Sequence, residues 1–277
     1  MKNIGIIGAG SLGTHLSKLI RRNQWGHFLT ISDKNYDNLN NNLNNNLNNN
    51  LNNNDIWIGN NEETIQMSDV LFLTVKPYNI KSVCGEINKY SNKWSRQNKK
   101  TIVSAAAGVP INKIREWVGE DYNIVRCMPN IPISNGNGAI LWYTDDNIHE
   151  EKTILDLVTA GPSSVWVDNE DLLDAATVSF GCAPAYIAKI FQTYVNIGIE
   201  MGFNKEETEI LLRDTFNGTL MLLDNYDSDS IIEQVASKGG ATEKGLEKLD
   251  SDGFTDMIRE SSFSSLRRIK NITKSLD

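Results

Sequence analysis

Gly8, Gly10 and Gly13 follow the apolar run Ile4, Ile6 and Ile7 and open a stretch that continues as a helix to Arg22. Nothing else in the chain constrains the fold as tightly. The run is too β-branched for a surface loop and reads as a short buried strand. In G-x-G-x-x-G spacing the first glycine permits a tight strand-to-helix turn. The second lets backbone approach a pyrophosphate, and the third lets helix pack on strand. The N–H groups and positive dipole end of that helix then face the phosphates. Directly after a strand and opening a helix, the pattern points to a dinucleotide site spanning Ile7, Gly8, Ala9, Gly10, Ser11 and Leu12. The plain alternative is a glycine-rich turn that binds nothing.

Totals narrow the field. A chain of 277 residues, 22% charged and 40% hydrophobic, suits one large or two modest globular domains. Its net charge of −8 argues against nucleic acid and against an anionic membrane surface. The longest apolar run, residues 70–75, is far too short for a bilayer, and a strand at Ile4 leaves no room for a signal peptide. Cys84, Cys127 and Cys182 form no C-x-x-C pair, which suits buried thiols in a reducing, cytoplasmic setting. His15, His27 and His149 lack metal-ligand spacing, so no metal is expected.

Residues 28–31 read as a second strand running into Ser32, Asp33 and Lys34. A carboxylate about twenty residues past the glycine turn ordinarily accepts hydrogen bonds from a ribose and favours NAD. Ser32 and Lys34 could instead greet the extra phosphate of NADP, or all three could form a solvated turn. Residues 38–54 repeat Leu followed by three Asn, with Leu39, Leu43, Leu47 and Leu51. Asn favours neither helix nor strand, and the segment is expected to be a disordered, low-complexity insertion.

Further strands are expected at residues 68–75, 101–104 and 122–127, with two more at the sheet's far edge, 138–143 and 164–167. A helix should start at Pro77, and small residues at 105–108 leave room at a strand's carboxyl end, where such sheets bind ligands. Past Asp168 only helical patterns follow. The expected architecture is α/β: a Rossmann-type doubly wound sheet over residues 1–167, then an all-α domain over 168–277. Residues 184–201 are apolar on nearly all sides, and a helix of that kind needs cover on all sides. A second copy of the chain is the expected cover, making a homodimer or larger homo-oligomer.

The segment from Val235 to Leu249, with Ser237, Lys238, Gly239, Gly240, Ala241 and Thr242, closely resembles the substrate loop of pyrroline-5-carboxylate reductases. Residues 7–12, 68–77, 104–108, 126–132 and 181–186 resemble the same family in the same order, so the likeness covers nearly everything outside the Asn-rich segment. The resemblance implies NADPH or NADH as hydride donor, pyrroline-5-carboxylate as substrate, and a helical domain that interlocks with a second subunit. It further implies cofactor contacts from Asn61, from Thr74, Val75, Lys76 and Pro77, and from Ala105, Ala106 and Ala107. Asn130 would lie near the nicotinamide. Glu170 would approach cofactor or substrate, unless it is a carboxylate favoured by a helix N-terminus.

Cys182 stands where the family commonly has serine, and Lys238 where it often has proline. A protonated cyclic imine is already electrophilic, so positioning carries most of the catalysis. Gly239 and Gly240 would offer N–H groups to the substrate carboxylate, and Thr242 would orient the ring; as a plain alternative, Thr242 is a helix N-cap. Competing functions are another NAD(P)H-dependent imine or β-hydroxyacid reductase and a non-catalytic nucleotide-sensing module. Replacing residues 38–54 by a short Gly-Ser linker should leave the thermal midpoint and turnover nearly unchanged, because loop closure costs only about 0.6 kcal/mol per doubling of length. A collapse of either in calorimetry or steady-state assay would show that the segment packs on the sheet.

Overall fold

The computed structural model describes residues 2–23, 28–34, 56–91 and 99–276. The Asn-rich segment lies outside them. Two compact units emerge, Met1–Cys182 with Ser265–Asp277, and Ala183–Ser264.

The first unit is built on an eight-stranded sheet. Its strands are β1 (Ile4–Ile7), β2 (Leu29–Ser32), β3 (Ile56–Ile58), β4 (Val70–Leu73), β5 (Lys100–Ser104), β6 (Tyr122–Pro129), β7 (Ala139–Tyr143) and β8 (Ser163–Trp166). They lie in the order 3-2-1-4-5-6-7-8. The first six run parallel, the doubly wound arrangement expected of alternating strands and helices.

The step from β6 to β7 is antiparallel. Only residues 130–138, with a 3₁₀ turn (Ile131–Asn135) and Gly136 in the left-handed region at φ 77°, separate the two strands. So short a connection cannot make the crossover that parallel pairing requires. β7 and β8 do occupy the far edge. The three-residue strand β3 carries too little pattern to be read from sequence.

Around the sheet pack α1 (Ser11–Arg22), α2 (Asn61–Met67), α3 (Pro77–Ser91), α4 (Ile111–Val118), α5 (His149–Val158) and α6 (Asp171–Ala176). Both faces of the sheet are covered. Ile4, Ile6, Val70 and Phe72 point to one layer with Leu16 and Leu19 of α1, and Ile7, Leu71 and Leu73 to the other with Ile80, Val83 and Ile87 of α3. Double burial is why these strands read as nearly unbroken apolar runs. Cys84 and Cys127 sit inside these layers, where burial pushes each thiol up to about 12.

Local chemistry sets the helix ends. α2 begins in a capping box: Asn60 Oδ1 accepts from Glu63 N at 2.9 Å, and Glu63 Oε2 accepts from Asn60 N at 3.1 Å. At its other end Lys100 Nζ donates to Ile65 O and Gln66 O at 3.3 and 3.2 Å, meeting carbonyls the helix leaves unpaired. Leu173 and Ala176 of α6 pack on Met128, so residues past 168 still belong to the first unit. A single π turn (Thr177–Gly181) follows α6.

The second unit comprises α7 (Ala183–Glu200), α8 (Lys205–Leu222), α9 (Ser228–Val235), α10 (Ala241–Ser251) and most of α11 (Phe254–Lys274). Asn204 caps α8 by accepting from Glu206 N at 2.8 Å and Glu207 N at 3.5 Å. α7 and α8 approach closely at Gly198, where a Cβ would come within 2.6 Å of Thr208 Cγ2. Of α7 only Val195 is buried within the single chain; Ile187, Tyr194, Ile197 and Ile199 remain exposed.

Burial lowers the Lys100 amine to about 8, with Asp69 acting in the opposite direction. A lysine whose folded-state value lies below its unfolded value releases its proton first in the folded state. Stability therefore rises through the window from about 8 to 10.5. Urea midpoints of wild type and Lys100→Met, measured at neutral pH and near pH 10, should differ more in favour of wild type at the higher value. An unchanged difference would mean that Lys100 is well hydrated.

Candidate functional site

A cleft of about 260 Å³ opens at the carboxyl ends of β1, β2 and β4. It is lined by Ile7, Gly8 and Gly10, by Asp33 and Lys34, by Asn61, and by Thr74, Val75 and Lys76; α3 contributes Tyr78, Asn79, Ser82, Val83 and Glu86. β1 is the strand at which the order reverses, and ligands of open α/β sheets bind at that point.

The glycines act as the spacing requires. Gly8 adopts φ +105°, and a Cβ there would lie 2.8 Å from Val75 N. At Gly13 a Cβ would lie 2.0 Å from Gly8 O, so α1 sits directly on the end of β1. Gly10 is different: its Cβ would meet no atom within 4 Å. It faces the cleft and caps α1 without any side-chain hydrogen bond, leaving the first-turn N–H groups without intrahelical acceptors. This cradle fits a pyrophosphate.

Neighbouring side chains hold it. Thr74 Oγ1 donates to Gly8 O at 2.6 Å, with Ile7 O 3.2 Å away. Asp33 Oδ2 accepts from Ala9 N at 2.8 Å, tying the end of β2 to the glycine turn. Asn61, first residue of α2, accepts from Ser32 Oγ at 2.8 Å and donates to Glu86 Oε2 at 2.9 Å. Lys34 and Lys76 are exposed at the rim.

The cleft thus gathers Ile7, Gly8, Gly10, Asp33, Asn61, Thr74, Val75 and Lys76. Ser11 and Leu12 form the first turn of α1 beside it. Ala9, Pro77, Ala105, Ala106, Ala107 and Asn130 are not among its lining residues. Ala105 N donates to Leu73 O at 3.0 Å next to the end of β4, and Ala107 packs near Met128 and Leu173. Asn130 Oδ1 accepts from Ala139 N at 3.0 Å, and its Nδ2 donates to Phe180 O at 3.3 Å, bridging β7 and the π turn. Glu170 Oε1 accepts from Ile111 N at 2.7 Å and pairs with Arg126 at 2.9 Å; Asp174 meets the same buried guanidinium at 3.3 Å. The sequence motifs do not single out Tyr78, Asn79, Ser82, Val83 and Glu86. The signal available was their place on α3, one and two turns past Pro77 on the face toward the glycine loop.

The loop before α10 is described within the second unit. Gly239 has φ +76°; its N–H donates to Glu243 Oε2 at 2.6 Å, and Gly240 N donates to Ser237 O at 2.9 Å. Both glycine donors are therefore engaged locally, by Glu243 of α10 and by Ser237 of the loop. The N–H groups left without intrahelical acceptors belong to Ala241, Thr242 and Glu243. Gly240, not Thr242, occupies the N-cap, and among the described residues Thr242 Oγ1 has no hydrogen-bond partner.

Fold and cleft together define a Rossmann-type dinucleotide-binding protein with an all-α second unit. Comparison with known proteins narrows this further. Residues 170–272 match the family model "pyrroline-5-carboxylate reductase dimerisation", and residues 3–108 match "NADP oxidoreductase coenzyme F420-dependent". Pyrroline-5-carboxylate reductase 2 of Rattus norvegicus is 30% identical over 223 residues, covering 78% of this chain and 68% of that protein. The pyrroline-5-carboxylate reductase structure of Coxiella burnetii is 26% identical, covers 98% of both chains, and superposes with TM-score 0.78. The NADP-bound enzyme of Plasmodium falciparum, 22% identical over 98% of both chains, shares the fold at TM-score 0.82. The chain belongs to the pyrroline-5-carboxylate reductase family. Among the described residues, no helix is long and apolar enough to cross a membrane, and no group of three His, Cys, Asp or Glu is placed to hold a metal ion.

Gly13→Ala should lower stability by about 1–3 kcal/mol, the cost of overpacking against an unyielding backbone oxygen, as read in urea denaturation. Gly10→Ala should cost less than about 1 kcal/mol of stability yet weaken dinucleotide binding, since its methyl points into the cleft. Equal destabilisation by the two would refute the distinction between a packing glycine and a ligand-facing one.

Proposed function

We propose that the protein is a pyrroline-5-carboxylate reductase that uses NADPH or NADH to form proline. The observation that carries this is the match of both halves of the chain, residues 3–108 and 170–272, to dinucleotide-dependent oxidoreductase and pyrroline-5-carboxylate reductase dimerisation models in their proper order. When bound, the reduced nicotinamide supplies the hydride that adds to the imine carbon of the protonated substrate.

The chain's own residues bind and orient. Gly8, Gly10 and the first turn of α1 cradle the pyrophosphate. Thr74 and Asp33 hold the glycine turn in shape, so the cradle needs little reorganisation when it fills. The N-terminus of α10 offers the N–H groups of Ala241, Thr242 and Glu243 to the substrate carboxylate. Gly239 and Gly240 shape that turn. Thr242 Oγ1 hydrogen-bonds the substrate and sets the face presented to hydride. Ala105 to Ala107 would leave room beside the cofactor, and Asn130 and Glu170 stiffen the neighbouring end of the sheet.

The working unit is a homodimer or larger homo-oligomer. Its support is the dimerisation match over residues 170–272 and the exposed apolar side chains of α7 and beyond, among them Ile187, Tyr194 and Met201. A cytoplasmic location accords with three cysteines that form no disulfide.

Pyrroline-5-carboxylate-dependent oxidation of NADH and NADPH, followed by loss of nicotinamide absorbance, tests the reading; no turnover with either would overturn it. Thr242→Ala should lower kcat/KM by about 1–3 kcal/mol, roughly five- to 150-fold. Its thermal midpoint should hold, because the hydroxyl caps nothing. Unaltered efficiency in that variant would remove Thr242 from the mechanism while leaving the activity in place.

A further inference from the structure

We infer that Glu86 is a specificity-determining residue of the cleft, and that with Asp33 it selects NADH over NADPH. This rests on the reading that the cleft holds a nicotinamide dinucleotide. Glu86 lies on α3, half-buried, in the wall of the cleft. Its Oε2 accepts from Asn61 Nδ2 at 2.9 Å, and Asn61 Oδ1 accepts from the fully buried Ser32 at 2.8 Å. Ser32 is the last residue of β2. A relay of three side chains therefore carries a carboxylate to the carboxyl end of β2, where this fold places the adenosine ribose.

The relay decides what that end of the cleft can receive. Ser32 and Asn61 are the neutral donors that a 2′-phosphate would call on. The serine hydroxyl proton is given to Asn61, and the Asn61 amide is turned toward Glu86. Asp33 stands beside them with Oδ2 held by Ala9 N. A ribose 2′-hydroxyl can donate to a carboxylate. A 2′-phosphate has about two negative charges and only acceptor oxygens to present, so it meets two carboxylates with nothing to give them. The lysines of the lining, Lys34 and Lys76, are both exposed, and charges so placed are screened by salt and weak in effect.

Asp33 alone would be the usual reading of this fold. Glu86 adds a second carboxylate from a different element, fixed in position by a side chain that itself bridges β2 and α3. It acts by charge and by holding Asn61, and takes no part in hydride transfer.

Titration calorimetry of the full chain with ADP-ribose and with 2′-phospho-ADP-ribose tests the assignment without any turnover. Wild type should bind ADP-ribose at least about tenfold more tightly, the scale of like-charge repulsion across a few ångströms of partly wet protein. Glu86→Gln keeps an acceptor for Asn61 but removes the charge, and should move the affinity ratio toward the phosphorylated ligand by about fivefold or more. The kcat/KM ratio for NADPH over NADH should move the same way. Wild type favouring the phosphorylated ligand, or a folded Glu86→Gln with an unaltered ratio, would overturn the role of Glu86 while leaving the cofactor reading intact. If folded wild type binds neither ligand, the cofactor reading falls and this inference with it.

Discussion

The contact of α1 with the end of β1 governs this structure. A side chain at Gly13 would stand 2.0 Å from Gly8 O, so the helix can reach this position only because none is there. That approach aims the α1 N-terminus across the sheet's carboxyl edge and leaves Gly10 facing open space. Thr74 and Asp33 then close on the same turn from β4 and β2, at 2.6 and 2.8 Å. Three consecutive neighbours in the sheet are thereby locked at one point. The cleft is what remains between them.

The second constraint is the buried guanidinium of Arg126. Only 3% exposed, it meets Glu170 and Asp174 of the α6 region, and Glu170 reaches on to the first N–H of α4. Breaking such a group leaves an uncompensated buried charge, which costs far more than an exposed pair would return. The arrangement binds α6 to the sheet and explains why the first unit extends past residue 168.

The second unit stands in a different relation to its own chain. Strands β1, β2 and β4 of the first unit are buried throughout, whereas α7 keeps a single buried side chain. Apolar residues in that number are not left in water by a protein of ordinary composition. Family membership supplies the reason, since the matching model is one of dimerisation.

The sequence alone determined the glycine cradle, the alternation of strands and helices in the first unit, the all-α second unit and the family. Each is written in local pattern: glycine spacing, apolar runs, capping residues such as Asn204, and the 235–249 loop. β3 and α2 are not legible in the sequence because three strand residues and a two-turn helix carry too little periodicity. Tertiary structure alone decided the antiparallel turn at β7, the commitment of Asn130 and Glu170 to partners far along the chain, and the pairing of Ser32, Asn61 and Glu86. It also decided that Glu243 and Ser237 take up the Gly239 and Gly240 donors and that Gly240, not Thr242, caps α10. Hydrogen bonds between residues tens of positions apart leave no spacing to read. Only packing brings their atoms within reach.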